Sequence, residues 1–533
     1  MDNEYDVVIA GAGLAGLTSA AYLCRCGYRT LLCEKSEKTG GLVSTFWHRG
    51  FAFDAGIHVF ENSGILLPML KDFGIDIPFT HIPVSIGIGN EWARLESRKN
   101  LREYRLMLGS LFPGSETDIE RITGEIEKIT RYMSALYSTD NPLFLNNEAI
   151  HEREGSLPLL LKYLVSARKA ERLQEPARSY LLRFTENRSL IDMIAQFLFT
   201  DTPAYFALSY FGLYLDYCYP AGGTGVLAER MTEYIRGKGG DIVLQAPIFE
   251  VDAKRRQVTT ARGETYRYKK LIWAADQKAL YSALKTVRPG RMERRRALVA
   301  KSSGSDSVLT LFIGVGLDPG YFEAVCGAHT FYTPVKQGLS SLPRWEDAAR
   351  GGDDALRRWI ELYLKRTTYT ISCPAVRDAS LAPDGKAGVI VSTQFDYRLV
   401  KHISDAGWYD AFKETCSAWI LDALDASVFP GILHSAEFTL CATPLTFERE
   451  TGNAQGTIAG WAFTNHPMPV ENRLHRITRS VRTPMRNIFQ CGHWTFSPSG
   501  LPVSILTGRL AARIVHKQLK GNTRLRGGNK VKP

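Results

Sequence analysis

The stretch YDVVIAGAGLAGLTSAAYL, Tyr5–Leu23, decides the fold. Tyr5–Ala10 is β-rich and apolar, the pattern of a strand buried in a parallel sheet. Gly11, Gly13 and Gly16 complete G-x-G-x-x-G, and Leu17–Leu23 continues as an apolar helix. Gly27 closes that helix, Arg29–Cys33 reads as the next strand, and Glu34 stands at its end. In such a βαβ unit the first glycine permits the tight turn. The second lets a pyrophosphate approach the backbone, and the third lets helix and strand pack closely. The helix start offers free N–H groups and partial positive charge to the phosphates. Glu34 can accept hydrogen bonds from both ribose hydroxyls and would repel a 2′-phosphate, so a preference for NADP is excluded.

Outward from this unit, Lys35 leads into a second glycine pair, Gly40-Gly41, just beyond the ribose position. No second intact fingerprint follows: Gly314-Val315-Gly316 has Pro319 where a third glycine belongs. A single dinucleotide site that opens the chain implies a resident FAD rather than a transient NAD. Near the other end, NIFQCGHWTFSPSGLPVSILTGRLAARIV (Asn487–Val515) repeats the rhythm. It reads as a strand, a glycine turn at Gly492, a polar loop and a helix starting near Pro502. Lys269–Asp276 reads as a strand returning to the same sheet.

The chain has 533 residues, 44% hydrophobic and 23% charged, which predicts a soluble globular protein of two domains. The start MDNEYD, followed by the short apolar run Val7–Ala10, does not read as a secretory signal. The longest notable uncharged run, Thr202–Leu215, is too short for a bilayer, which needs about 20 residues. Nine cysteines lack metal-finger spacing; Cys24, Cys26 and Cys33 read as small packing residues, so no metal site is expected. A reducing, cytoplasmic setting fits. The net charge of +11 concentrates in RPGRMERRR from Arg288 and in the tail Lys517–Pro533. These clusters read as solvated faces, with attraction to anionic lipid head groups as the functional alternative. No nucleic-acid module accompanies them.

Several segments together resemble the phytoene desaturase, carotenoid isomerase and retinol saturase family of FAD-dependent oxidoreductases. They are VVIAGAGLAGL with Glu34, GGLVSTF, GFAFDAGIHVF (Gly50–Phe60) and the long segment Tyr219–Val251, which opens YPAGGTG. DASLAPDGK (Asp378–Lys386), Thr443–Trp461 and the C-terminal stretch complete the set, in family order and over nearly the whole chain. The resemblance implies an α/β fold: a Rossmann-type FAD-binding domain, discontinuous in sequence, with an inserted α+β substrate domain. The FAD-binding parts would be 1–75, 219–285 and 470–520. The substrate parts would be 76–218 and 286–469, followed by a basic flexible tail, 521–533.

The resemblance also implies which residues meet FAD: Gly11, Gly13, Leu14, Ala15, Gly16, Glu34, Lys35, Gly40, Gly41, Leu42, Ile248, Gly492, His493, Leu501, Pro502 and Val503. The helix after Gly500 would point its N-terminus at the flavin pyrimidine ring. His58 and His493 would lie near the flavin and are the candidate catalytic residues, as proton shuttles or as loop-positioning groups. The chain departs from the family at His493, where many relatives carry an acidic or hydroxyl residue, and at WTFSPSG, where bulk at Trp494 and Phe496 would narrow the cavity or stack on the ring.

The implied chemistry is hydride transfer between flavin N5 and an apolar polyene or isoprenoid, with an external electron donor or acceptor. The aromatic run Ile194–Tyr217 reads either as core or as the wall of a tunnel, and the resemblance favours the tunnel. The basic and apolar mixture of Leu157–Phe184 suggests peripheral contact with a membrane surface. Alternatives on the same scaffold are saturation, isomerisation or reductive cyclisation of a polyene. A flavin amine oxidase, or a flavin-free escort protein for prenylated partners, are the further alternatives.

Overall fold

Val7, Val8 and Ile9 have no solvent exposure in the computed structural model, which describes residues 3–97, 100–137, 165–166, 168–285 and 290–526. They lie in β1 (Glu4–Ala10), flanked in parallel by β2 (Thr30–Cys33) and β13 (Thr265–Trp273), with strands numbered along the chain. β10 (Asp241–Val243) extends the sheet beyond β2. An antiparallel pair, β11 (Ile248–Asp252) and β12 (Gln257–Thr260), joins the first half of β13. The second half of β13 takes up β19 (Ile488–Gln490) in parallel. A strand from residue 488 thus completes a sheet begun at residue 4. Ala10 pairs with Cys33 and Trp273, and Trp273 with Gln490. The carboxyl ends of all four strands therefore share one edge, where sheets of this kind bind ligands.

Five helices position the sites discussed below: α1 (Leu14–Arg25), α2 (Ala204–Leu213), α3 (Arg291–Lys301), α4 (Ile477–Ser480) and α5 (Leu501–Arg526). α1 starts three residues before the expected Leu17, because the extended Gly13 is its N-cap. It crosses α5 at close range. A Cβ on Gly508 would fall 2.5 Å from the Ala15 carbonyl oxygen, and Ser19 Oγ donates to the Gly508 carbonyl at 3.0 Å. α5 runs to Arg526, past residue 521 where the sequence suggested a flexible tail. Residues 527–533 lie outside the described residues.

A second seven-stranded sheet supplies the inserted region, in the order β18-β14-β17-β16-β15-β7-β8. Its strands are β7 (Val84–Ile88), β8 (Glu91–Leu95), β14 (Ser307–Val315), β15 (His329–Thr333), β16 (Tyr369–Ser372), β17 (Ala387–Phe395) and β18 (Ala436–Ala442). β14 and β17 pair along their full length and are buried almost throughout, hence their near-continuous apolar sequences. Helices Asp353–Arg366 and Tyr409–Asp425 pack on this sheet. So does the hairpin β3 (Thr45–His48) and β4 (Phe51–Asp54), through Phe51 and Phe53. A small sheet of β5 (Phe60–Glu61), β9 (Tyr217–Pro220) and β6 (Phe79–His81) completes the α/β architecture.

Asp54, at the end of β4, has no exposure and ties these parts together. It accepts hydrogen bonds from Tyr219 OH at 2.7 Å, Thr224 N–H at 2.9 Å, Thr224 Oγ1 at 2.8 Å and Thr45 Oγ1 at 2.9 Å. Asp54→Ala would strand all four donors, so a loss of roughly 3–5 kcal/mol is expected. Chemical denaturation of the flavin-loaded protein checks this; an unchanged midpoint and slope would refute it.

Candidate active site

Gly11 and Gly16 meet where β1 turns into α1. A Cβ on Gly16 would lie 2.0 Å from the Gly11 carbonyl oxygen, so no other residue fits. Gly13 faces the opposite situation, open space with nothing within 4 Å of an added Cβ. The opening is bounded by Gly40, bridged to Gly13 and donating to the Ala12 carbonyl, and by Gly41, whose added Cβ would reach Gly13 Cα at 3.5 Å. α1 begins with no capping side chain and no acid in its first turn. The N–H groups of Leu14, Ala15 and Gly16 have no intrahelical acceptor and are free for an anion. The Leu42 carbonyl accepts the Ile57 N–H at 3.0 Å, which fastens this loop to the segment carrying His58.

Glu34 is buried and braces the turn: Oε2 accepts the Ala12 N–H at 2.6 Å and Oε1 the Ser36 N–H at 2.9 Å. Each oxygen keeps a second lone pair for a ribose hydroxyl. Lys35 points its ammonium away, to the Arg449 carbonyl at 2.7 Å, leaving only its backbone beside Glu34. Ile248 opens β11 just after a segment locked to the same place, with Ala246 N–H on the Glu34 carbonyl at 2.7 Å and Gln245 N–H on the Ser36 carbonyl at 3.0 Å.

The second glycine turn meets the first. An added Cβ on Gly492 would lie 3.4 Å from Ala15 Cβ, in the first turn of α1 that Gly13 caps. Thr507 Oγ1 accepts the Gly492 N–H at 2.9 Å, holding the turn against α5. Leu501, Pro502 and Val503 form the first turn of α5. His493 follows Gly492 with its Nε2 buried and unpartnered, and burial pushes its imidazole down to about 4. Trp494 and Phe496 are both buried. Trp494 packs edge-on against Trp461 at 4.8 Å and donates to Asn453 Oδ1 at 3.0 Å.

On the substrate side, His58 Nε2 lies 3.3 Å from Ser392 Oγ on β17, which pairs in turn with Thr310 Oγ1 of β14 at 2.9 Å. Its Nδ1 is buried and unpartnered. Burial pushes this histidine down to about 4, with Asp54 opposing and Arg377 assisting. Arg377, invisible as a site residue in the sequence, holds the region together. It donates to the His58 carbonyl at 2.9 Å and the Ala328 carbonyl at 2.7 Å, and stacks 4.3 Å from the Tyr219 ring centre. A row of rings continues from there. His329 lies 5.5 Å from Phe331 and 5.8 Å from Tyr217; Tyr214 lies 5.2 Å from Phe331 and 5.9 Å from Tyr210. Tyr210 then meets Phe206 of α2 at 5.2 Å. Glu61, opposite Tyr217 across β5 and β9, was also missed by the sequence reading; burial, with Asp216 adding to it, lifts its carboxyl to about 7.

These features fit FAD. The uncapped helix start beside the open face of Gly13 suits a pyrophosphate, Glu34 keeps acceptor capacity for a ribose, and two enclosed histidine nitrogens lack partners.

Glu61 gives the fold a signed pH dependence. Its folded pKa stands above the unfolded value, so its share of stability is whole below about pH 4.5 and is lost as pH rises through about 7. Glu61→Gln should therefore gain about 1–3 kcal/mol over the native protein at pH 8 and nothing at pH 4.5. Denaturation midpoints at the two pH values test this, and an equal difference at both would refute it.

Residues 14–316 match the family model described as flavin containing amine oxidoreductase. The all-trans-retinol 13,14-reductase of Danio rerio is 22% identical, over 92% of this chain and 82% of that protein. The lycopene-forming phytoene desaturase of Pseudescherichia vulneris is 24% identical, over 96% and 99%. Prolycopene isomerase 2 of an Oncidium hybrid cultivar is 24% identical, over 85% and 75%. Among solved structures, cyclohexylamine oxidase from Brevibacterium oxydans superposes with a TM-score of 0.59 at 13% identity, covering 97% and 99% of the two chains. Reduced UDP-galactopyranose mutase gives 0.58 at 16%, covering 96% of each. Those structures share the fold, and the family match runs from the first turn of α1 into the second sheet, over half of the chain. The chain belongs to the flavin-containing amine oxidoreductase family and is an FAD-dependent oxidoreductase.

Proposed function

We propose that the protein moves hydride between its flavin and a long, apolar, conjugated substrate of polyene or isoprenoid type. The observation that carries this reading is the row of rings from α2 to His329. Phe206, Tyr210 and Phe331 are only part-buried although they sit within that row, so their faces also border open space. A conjugated chain laid along them gains apolar burial and ring contact. A short ammonium substrate gains neither, and the part-buried Arg377 cation repels it. The names of the relatives, which refer to retinol, phytoene and prolycopene, agree with this class.

In this reading the FAD-binding unit comprises 1–75, 219–285 and 470–520, and the substrate unit 76–218 and 286–469. Bound FAD supplies a hydride acceptor or donor at N5. The chain does the rest. Gly11, Gly13 and the N–H groups of Leu14, Ala15 and Gly16 hold the pyrophosphate; Glu34 holds the ribose. Gly40, Gly41, Leu42, Ile248 and the Lys35 backbone flank them. Gly492, His493 and the α5 start at Leu501, Pro502 and Val503 face the ring system, where the positive helix end favours negative charge. Burial keeps His58 and His493 neutral at pH 7, so each offers a hydrogen-bonding nitrogen that carries no resting charge, and holding a proton there would cost the burial of an imidazolium. Glu61, titrating near 7, is better matched to proton transfer at neutral pH.

Among the described residues no helix is long and apolar enough to cross a membrane. A lipid-dissolved substrate still calls for peripheral contact. Leu157–Leu164 of the basic and apolar stretch lies outside the described residues, but Val165 and Leu182 are 49% and 53% exposed beside Arg168, Lys169 and Arg172.

Purification in mild detergent, with mass spectrometry of the extracted cofactor and ligand, should recover FAD and a conjugated isoprenoid. Under anaerobic conditions a polyene should bleach the oxidised flavin, reoxidise the reduced flavin, or change double-bond geometry with no net flavin change. These outcomes separate desaturation, saturation and isomerisation. Phe331→Ala should raise KM about tenfold at unchanged flavin content. A flavin-free protein, or flavin bleached by simple amines and untouched by polyenes, would end this reading.

A further inference from the structure

The basic segment after Arg288 finds its partners far along the chain. A hollow of about 760 Å³ opens between α3 and the turn after α4, behind the strand that leads to Gly492. α3 lines it with Arg291, Arg294 and Arg295, and α4 and its following turn with Arg479 and Arg482. An adjoining hollow of about 420 Å³ shares Arg479 and Arg482 and adds Arg513 and Lys517 from α5. Three separate elements thus aim cations into one trough.

What distinguishes the trough is its lack of counter-charge. Glu471 is the one carboxylate lining it, and that group is taken by Arg473 at 2.9 Å. Among the described residues, the arginines of the trough and Lys517 form no ion pair. Arg295 makes a long contact, 3.4 Å, to Gln277 Oε1 and lies beside the Tyr281 hydroxyl, neither of them an anion at neutral pH. The floor is uncharged: Gln277 Nε2 donates to Gln490 Oε1 at 2.7 Å, and Gln490 Nε2 to the Ser480 carbonyl at 2.7 Å. Elsewhere on this surface arginines are commonly paired, as with Arg25–Asp72, Arg344–Glu346 and Arg398–Asp396. Arg513 and Lys517 stand four residues apart on one helix, a like-charge spacing that costs stability. α3 also begins on Gly290 with no side-chain cap, so its positive end adds to the local potential. Glu293, in its first turn, forms no ion pair among the described residues and is not among the residues lining the hollow.

We infer that this trough is a binding site for a phosphate-bearing anion. The preference for arginine over lysine matters: a planar guanidinium grips two phosphate oxygens at once, and a tetrahedral dianion can be gripped from several sides. Nothing in the proposed redox chemistry uses these residues, so the inference stands or falls apart from it. The same phosphate chemistry has two sources, a soluble phosphate or diphosphate and the head group of an anionic phospholipid.

The test uses the full-length, flavin-loaded protein, whose own pyrophosphate cradle is filled. Inorganic pyrophosphate is titrated calorimetrically at low ionic strength against the native protein, the pair Arg479→Gln/Arg482→Gln, and a charge-matched control, Arg350→Gln/Arg358→Gln, on exposed positions far along the chain. Saturable binding near one per chain, weakened at least tenfold in the first pair and unchanged in the control, is expected, with flavin content equal in all three. Sedimentation with phosphatidylglycerol vesicles then assigns the source. Vesicle binding lost in the same pair, and competed by pyrophosphate, identifies a lipid head group; absent vesicle binding identifies a soluble phosphate. No saturable pyrophosphate binding, or equal binding by the Arg479/Arg482 pair, overturns the inference. Tighter binding of poly-glutamate than of pyrophosphate also overturns it, in favour of an acidic protein partner.

Discussion

Parallel pairing of Leu271–Trp273 with Ile488–Gln490 is the constraint on which the rest depends. It brings the second glycine turn to the edge where β1 and β2 end. Three residue pairs are too few to hold a strand that returns after so long an excursion. The crossing of α1 and α5 supplies the remainder. Gly508 lets the helices approach until Ser19 can donate to its carbonyl, and Ile505, Leu510 and Val515 join the core that Leu17 and Leu23 already occupy. Loop-closure entropy rises only slowly with length, by about 0.6 kcal/mol per doubling. A long insertion between β13 and β19 is therefore cheap once this interface forms, and the second sheet can be large without loosening the first.

Asp54 and Arg377 play the corresponding part between the two sheets. Asp54 gathers donors from β3, from β9 and from the glycine loop at Thr224, while Arg377 joins the His58 loop to the strand that begins at His329. The two opposite charges oppose each other's influence on His58, and burial then decides, leaving the ring neutral. The wall beside the ring row consequently carries hydroxyls, neutral imidazoles and aromatic faces. That environment suits a substrate whose only charge would appear transiently and spread along conjugated bonds.

The β1–α1–β2 unit was legible because its signals are local: a buried strand, three glycines at fixed spacing and an acid at the next strand end. Gly492 was legible because the same rhythm recurs there, and the approach of Gly492 to Ala15 bears out the expected meeting of the chain ends. The roles of Asp54, Arg377 and Glu61 were not legible. Asp54 acts through Tyr219, 165 residues away, and Arg377 through the His58 carbonyl, 319 residues away; such partnerships leave no spacing to read. Trp494 is a further case, because its partners too are distant in sequence. A large ring next to a glycine turn reads as a ligand contact, and the spacing gives no sign that Trp461 packs edge-on against it or that Asn453 accepts its indole N–H.

The distribution of charge gives the redox reading its physical sense. Hydride transfer to or from a polyene needs close apposition and exclusion of water more than it needs strong acids or bases. A site meeting that need keeps permanent charge out of the substrate path. Here a cluster of cations stands behind the first sheet, while beside the ring row burial lifts the Glu61 carboxyl to about 7. In its ionised form this carboxylate can accept a proton lost beside the departing hydride and become neutral, so the transfer leaves no charge of its own among the rings. The part-buried cation beside the rings, Arg377, is spent on two backbone carbonyls and the Tyr219 face, so its field is partly screened by groups the fold itself supplies. The same sequence thus separates two demands: attraction to phosphate on its outer surface, and electrical quiet where carbon–hydrogen bonds are to be broken or made.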